Sequence, residues 1–406
     1  MSEVAQATHS SPDGHIPQLR FPEFVGEWET NNLLSLSKVK MSNGVFNDPK
    51  KVGSGYRLIN VKDMYVEGKI DVNTLTLLEL EKNEFEKNKA IWGDVFFTRS
   101  SLVREGIAFS NAYLDEFQDV TYDGHLVRMR PNQDKIETLF LSYSLKTSSS
   151  RKQFIVRGKT TTMTTIGQED ISTVVISYPT KPEQQKIAAF LTAVDNKIEQ
   201  LSKKQALLSE YKKGLMQQIF SQAIRFKADD GIEFPDWEEK KLGGVGRIRK
   251  GSQLNKSELT DTGDYPAING GINPSGYTDK WNTGKNTITI SEGGNSCGYI
   301  NFITSKFWSG GHCYSIEELK GDVLNRFLFQ YLKFNEHLIM RLRVGSGLPN
   351  IQKGEINNFK VNLPSLEEQT KIANLLSSID SKIEQVGKQL RESKQFKKAL
   401  LQQMFV

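Results

Sequence analysis

The stretch EQQKIAAFLTAVDNKIEQ, Glu183–Gln200, returns as EEQTKIANLLSSIDSKIEQ at Glu367–Gln385. At a constant offset of 185, residues 179–220 align without a gap to residues 364–405, and 19 of the 42 positions are identical. Chance at ordinary composition gives about two or three, so the chain contains a duplication. Apolar residues in the first copy fall at Ile187, Leu191, Val194, Ile198 and Leu201, then Leu208, Tyr211, Leu215 and Ile219. The second copy has Ile372, Leu376, Ile379, Ile383, Val386 and Leu390, then Phe396, Leu400 and Met404. Steps of four and three make a heptad-type stripe on a helix of about 40 residues, roughly 60 Å long. Pro182 suits a first helical turn, and the helix dipole favours Glu183, Glu367 and Glu368 near the start.

A helix that long with one apolar stripe must cover it. The other copy is the expected partner, in an intramolecular antiparallel coiled coil with a pseudo-two-fold relation between the halves. Its seam is Ile187, Leu191, Val194, Ile198, Leu201 and Leu208 against Ile372, Leu376, Ile379, Ile383, Val386 and Leu390. Gln205 aligns with Leu390 and Leu208 with Ser393, so the defects are complementary. The alternative is that each helix packs on its own globular domain.

The repeat continues upstream. Ile166 pairs with Ile351 and Ile171 with Ile356 at the same offset. A W-E-x-x-x-L motif, each time preceded by Phe-Pro, recurs at Trp28 and Trp237, and Tyr56 and Asn60 match Tyr265 and Asn269 at that spacing. Trp28 and Trp237 read as packing anchors. A two-copy repeat of this length is a domain duplication, not a solenoid. The expected division is a loose tail over 1–17, a globular domain over 18–178, a helix over 179–221, a second domain over 222–363 and a helix over 364–406. DVFFTRS, HLVRMR, STVVISY, NTITISE and NFKVNLP read as strands, and DKIETLFLSYSLK and DVLNRFLFQYLKFNEHLIMRL as helices. GSGY, NGGINPSGY, SEGGNSCGY, SGGHCYS and RVGSGLPN read as glycine turns. Each domain is therefore expected to be mixed α/β (α+β), with its strands in a compact sheet.

The chain has 406 residues and a net charge of +5, compatible with a nucleic-acid partner without requiring one. Basic, amide and aromatic residues gather at the expected turns. In the first half they are Lys50, Lys51, Tyr56, Arg57, Asn60, Arg99, Arg151, Lys152, Arg157 and Lys159. In the second they are Lys250, Asn269, Tyr277, Lys280, Trp281, Lys285, Arg341 and Arg343. Arg and Asn suit reading of G and A edges, and Lys suits phosphates; the alternative for each is solvated surface. RKQFIVRGKTT, Arg151–Thr161, is the densest basic cluster. RLRVGSG at Arg341 matches VRGKTT at Val156, so two basic, flexible loops are expected at equivalent places.

Other chemistries lack their motifs. There is no phosphate loop, no G-x-S-x-G, no H-E-x-x-H and no Asn-Pro-Pro-aromatic run. The five histidines are scattered, and no acid/base pair stands out. Cys297, His312 and Cys313 make an incomplete zinc set; two half-buried thiols is the expected reading. A binding protein of a reducing, cytoplasmic compartment is expected, without a signal peptide or membrane span.

Two diverged α/β domains alternating with two P-x-x-x-E-Q-x-K-I-A-x-x-L helices, with Phe-Pro and Trp-Glu leading into each domain, resemble the specificity (S) subunit of type I restriction–modification systems. The resemblance covers about Gln18–Val406. It implies two target-recognition domains, each reading half of a split double-stranded DNA target, and helices that set the gap. It also implies no catalysis on this chain. Methyltransferase (M) subunits, normally two, bring S-adenosylmethionine and adenine methylation. Restriction (R) subunits, also two, bring ATP- and Mg-dependent translocation and cleavage. The first domain departs from the family pattern at GKTTTM, Gly158–Met163, where many relatives carry a glycine-richer loop. Two other readings are a recognition subunit serving a different enzyme, and a coiled-coil adaptor whose domains bind protein.

Overall fold

A computed structural model describes residues 6–7, 15–66, 68–345, 347 and 349–406. The chain divides into two compact units, residues 1–202 with 388–406, and residues 203–387. The division falls inside the two long helices, not at their ends.

The first unit holds a four-stranded antiparallel sheet in the spatial order Ser42–Asn43, Leu126–Met129, Val95–Thr98, Ser110–Ala112. In chain order this is first, fourth, second, third. Val95–Thr98 is buried along its whole length, as an unbroken VFFT run requires. A separate three-stranded sheet has Val52–Ile59 in the middle, parallel to Val120–Tyr122 and antiparallel to Thr76–Leu78.

The second unit repeats this plan. Its four-stranded sheet runs Arg247–Lys250, Cys313–Glu317, Thr287–Ser291, Ile300–Ile303, again first, fourth, second, third. Its three-stranded sheet centres on Tyr265–Ile268, parallel to Trp308–Ser309 and antiparallel to Gly276–Thr278. The diverged middles therefore share one topology. Each domain has several small sheets, where the sequence suggests one.

A two-stranded ribbon leads into each long helix. Glu29–Asn32 pairs with Val175–Tyr178, and Glu238–Lys241 with Lys360–Leu363. The first long helix spans Lys181–Phe220 and the second Leu366–Gln403. In the first unit, Ile187 and Leu191 share a core with Leu400, Met404 and Phe405. In the second, Met216, Ile219 and Phe220 share one with Ile372 and Leu376. Asp195 pairs with Lys397 at 2.5 Å in the first unit, and Lys212 with Asp380 at 2.7 Å in the second. These are one pair at the 185 offset with the helices exchanged, so the helices run antiparallel. Both packing alternatives are thus realised together: each helix meets the other and a globular core. Along the seam Ile187, Leu191, Ile198, Leu201, Ile372, Leu376, Ile379 and Val386 are buried, while Val194, Leu208, Ile383 and Leu390 are half-buried. Tyr211 and Phe396, equivalent positions of the stripe, are instead 59% and 52% exposed.

The recurring Glu-Gln pair has a structural task. Buried Glu183 takes two hydrogen bonds of 2.7 Å from the Arg20 guanidinium. Glu368 takes Arg225 at 2.8 and 3.3 Å and the Trp237 Nε1–H at 3.1 Å. Gln184 accepts from the Glu137 amide at 2.8 Å and donates to the Pro179 carbonyl at 2.8 Å. Gln369 does the same with the Leu324 amide at 2.7 Å and the Pro364 carbonyl at 2.9 Å. The motif fastens the start of each helix to its domain. Trp28 lies edge-on to Phe140 and Phe405, and Trp237 to Phe327 and Phe220, so both are packing anchors.

Three local expectations are corrected. RKQFIVRGKTT is not one loop: Ser148–Arg157 is helical, with the Thr147 side chain accepting from the Ser150 amide, and Lys159–Thr160 is a strand. GSGY is not a turn but part of strand Val52–Ile59, whose register shifts between Val52 and Tyr56. Gly55 there has φ +94°, and a Cβ would lie 2.4 Å from the Leu78 carbonyl oxygen, so only glycine fits. Cys297 and Cys313 are fully buried free thiols, not half-buried ones.

Candidate nucleic-acid interface

Strand register defines one surface common to both units. The Arg99 amide donates to the His125 carbonyl at 3.1 Å, and the Glu292 amide to the His312 carbonyl at 2.9 Å. The Asp123 amide reaches the Ile59 carbonyl at 2.9 Å, and the Gly310 amide the Ile268 carbonyl at 2.8 Å. This sets Asn60 and Asn269 beside equivalent turns, 123–125 and 310–312. A hairpin docks on each. Lys159 pairs with Thr165, and Val344 with Asn350. Thr165 then pairs with Ser100, and Asn350 with Gly293. Finally the Ile166 amide donates to the Arg99 carbonyl at 3.0 Å and the Ile351 amide to the Glu292 carbonyl at 2.8 Å. The two basic segments therefore do occupy equivalent places, as hairpins held by the same ladder.

On this common frame the side chains differ. Arg99 in one unit corresponds to Glu292 in the other, Asn43 to Lys250, Lys159 to Val344 and Gly158 to Arg343. In the second unit buried Glu292 accepts from Lys250 Nζ at 2.5 Å and the Tyr314 hydroxyl at 3.0 Å, with His312 Nδ1 at 3.4 Å. Burial pushes its carboxyl upward, but Lys250 and Tyr314 outweigh that and hold it below the usual glutamate range. Burial, with Glu292 alongside, raises Tyr314 well above an ordinary tyrosine. Burial also lifts the Cys313 thiol to about 11, which leaves it unreactive. In the first unit His125 Nδ1 lies 2.7 Å from Asp123. The frame is thus shared, and each surface carries its own pattern of donors and acceptors.

The structure gathers Asn60, Arg99 and Lys159 on the first surface, and Lys250, Asn269 and Arg343 on the second. Arg99 and Lys159 are exposed, though Lys159 lies 3.8 Å from Asp170. The Asn269 side-chain oxygen accepts from the His312 amide at 3.2 Å. Arg343 and Arg341 are exposed. Elsewhere the candidates have local work. Arg151 donates to the carbonyls of Glu105, Ile107 and Ala108, and burial lowers its pKa. Arg157 holds Thr173 at 2.9 Å. Tyr56 stacks on Phe85 with ring centroids 3.7 Å apart. Arg57 pairs with Asp119 and lies over Phe117. Lys280 pairs with Glu258 at 2.6 Å, and Lys306 lies over the half-exposed Trp281 ring. Lys50, Lys51, Lys152, Tyr277 and Lys285 are exposed. His125 and His312 were missed as a pair. Their offset of 187, close to that of the helices, was the available signal.

The model of the type I restriction modification DNA specificity domain matches this chain twice, over residues 26–209 and 235–392. The chain belongs to the type I restriction–modification DNA specificity family. A Methanocaldococcus jannaschii protein named "Putative type I restriction enzyme MjaX specificity subunit" is 28% identical over 96% of this chain and 93% of its own. The type I restriction enzyme MjaVIII specificity subunit of that organism is 26% identical over 68% of this chain and 71% of its own. The crystal structure of the type I S subunit of M. genitalium has the same fold, with TM-score 0.69 at 18% identity over 96% of this chain and 99% of that one. Among the described residues no group of three or more His, Cys, Asp or Glu could hold a metal, and no helix is long and apolar enough to cross a membrane.

Proposed function

We propose that this chain is the DNA-reading subunit of a type I restriction–modification complex. Each unit reads one half of a bipartite double-stranded target through its turn-and-hairpin surface. The long helices set the gap and dock two methyltransferase subunits, and two restriction subunits complete the complex. S-adenosylmethionine, ATP and Mg serve those partners, which carry out adenine methylation and cleavage. The observation that carries this reading is one backbone frame, register for register, bearing different side chains in the two units. A scaffold held constant beneath varied donors and acceptors is what reading two different base sequences requires.

The test is modified-base sequencing of a methylation-free host that expresses this chain with a type I M subunit. A two-part methylated-adenine motif is expected, absent when either chain is omitted. A complex that forms yet marks no motif, and binds DNA without the salt dependence that phosphate contacts impose, refutes the proposal in favour of a protein-binding adaptor.

A further inference from the structure

Beside the first unit's DNA-reading surface lies a cleft of about 430 Å³ lined by Lys40, Ser42, Lys87, Lys89, Arg128 and Arg130 among others. Arg128 is only 7% exposed. Its guanidinium donates to the Lys89 carbonyl at 3.1 Å and to Ser42 Oγ at 3.0 Å, and lies over the Tyr122 ring. Both acceptors are neutral, and its buried Nε has no partner among the described residues. Arg130 is different: Asp94 takes it at 2.7 and 2.8 Å. Lys40 and Lys87 are exposed and make no ion pair among the described residues. Glu86 is the one acidic residue among the described lining. A buried cation without a counter-ion is costly unless something supplies the negative charge.

The second unit balances its own charge at the matching place. Register aligns Arg128 with Ser315 and Ser42 with Arg249. There Ser315 donates to Glu317 at 2.6 Å, and Arg249 lies 3.6 Å from the same carboxylate. An uncompensated positive cleft is thus a property of the first unit's variable part. Its position next to Asn43, whose side chain donates to the Gly124 carbonyl at 3.0 Å, joins it to the reading surface.

We infer that this cleft seats one backbone phosphate of the DNA flanking the first half-site, held by Arg128 from below and by Lys40 and Lys87 at the rim. The inference rests on the DNA-reading function proposed above. Phosphate contacts fix register on the duplex without reading sequence.

The test uses the complex of this chain with its M subunit on DNA carrying the mapped motif. For K40Q/K87Q, affinity at about 0.15 M salt is expected to fall about ten-fold or more. The slope of log affinity against log salt should shrink by about one for each phosphate no longer neutralised, with the methylated motif unchanged. Replacing single phosphates by methylphosphonate should reveal one position that weakens the wild type and leaves the variant indifferent. R128K, which keeps the charge but removes the fork, should show the same insensitivity. If the variant keeps the wild-type slope and affinity while the wild type still marks its motif, the phosphate assignment falls and the DNA-reading function stands. A variant that no longer binds the M subunit, yet binds DNA as the wild type does, would also overturn it, in favour of an acidic protein surface.

Discussion

Glu183 and Glu368 look alike in the sequence, but their arginine partners do not keep the same spacing from them. Arg20 and Arg225 are 205 residues apart, an offset that neither the helices nor the tryptophan motifs share. The identity of the Glu-Gln pair was therefore legible, but its task was not. That task makes a graded prediction. Arg20 and Glu183 are both almost fully buried, whereas Arg225 reaches solvent. E183Q leaves a buried cation short of its counter-charge and should cost about 3–5 kcal/mol, with E368Q costing less. Urea unfolding of both variants checks the order, and equal costs would contradict it. Glu292 gives a second prediction, in pH. Its carboxyl is held below its ordinary value, so it contributes stability that is present above the ordinary glutamate pKa and disappears as pH falls through the folded one. Lys250 supplies the largest share of that lowering, and K250M removes it. The variant should be less stable than wild type at neutral pH. The difference should narrow as pH falls through the carboxylate range, because a protonated Glu292 no longer draws on the lysine. Unfolding free energies across an acid series read this, and a difference that stays constant with pH would exclude it.

Among elements, the long helices were the most legible, because a sustained stripe of period near 3.5 has no other stable reading. The helix Ser148–Arg157 was not. It carries no sustained apolar stripe, and beyond the local cap from Thr147 what fixes it is tertiary: Phe154 buried in the first unit's core and the anchoring of Arg151 on three carbonyls of a distant loop. A cluster of basic residues is legible as charge, and its conformation is set by what those charges reach. The stripe itself also overstates the seam. Tyr211 and Phe396 continue the heptad spacing but stand exposed at equivalent places. Paired exposed aromatics, on helices proposed to dock partners, are candidates for anchor residues. Y211A/F396A should change stability by less than about 0.5 kcal/mol and weaken M-subunit binding by about ten-fold or more, about 1.4 kcal/mol. Titration calorimetry with the M subunit reads this directly. Unchanged affinity would move the docking face elsewhere on the helices.

At the scale of the molecule, duplication was legible from the helices and hidden in the domains. Buried strand positions accept many apolar residues, so VFFT and TITIS occupy matching strands with little sequence in common. Register establishes the equivalence, and in the sequence only an offset of 187 hints that His125 and His312 belong together. The same duplication bears on the proposed ruler. Each long helix runs unbroken from one unit into the other, crossing between Ser202 and Lys203 or between Gly387 and Lys388. Seven residues inserted at both crossings add two turns, which keeps each seam on its own face, and lengthen the link by about 10 Å. At about 3.4 Å per base pair, the gap in the methylated motif should grow by about three base pairs while both half-sites stay the same. Insertion of seven residues in one helix alone breaks the match between the ion pairs Asp195–Lys397 and Lys212–Asp380 and should abolish methylation. Modified-base sequencing reads both outcomes at once. A paired insertion that keeps methylation but leaves the gap unchanged would mean that the spacing is set by the partner subunits and not by these helices.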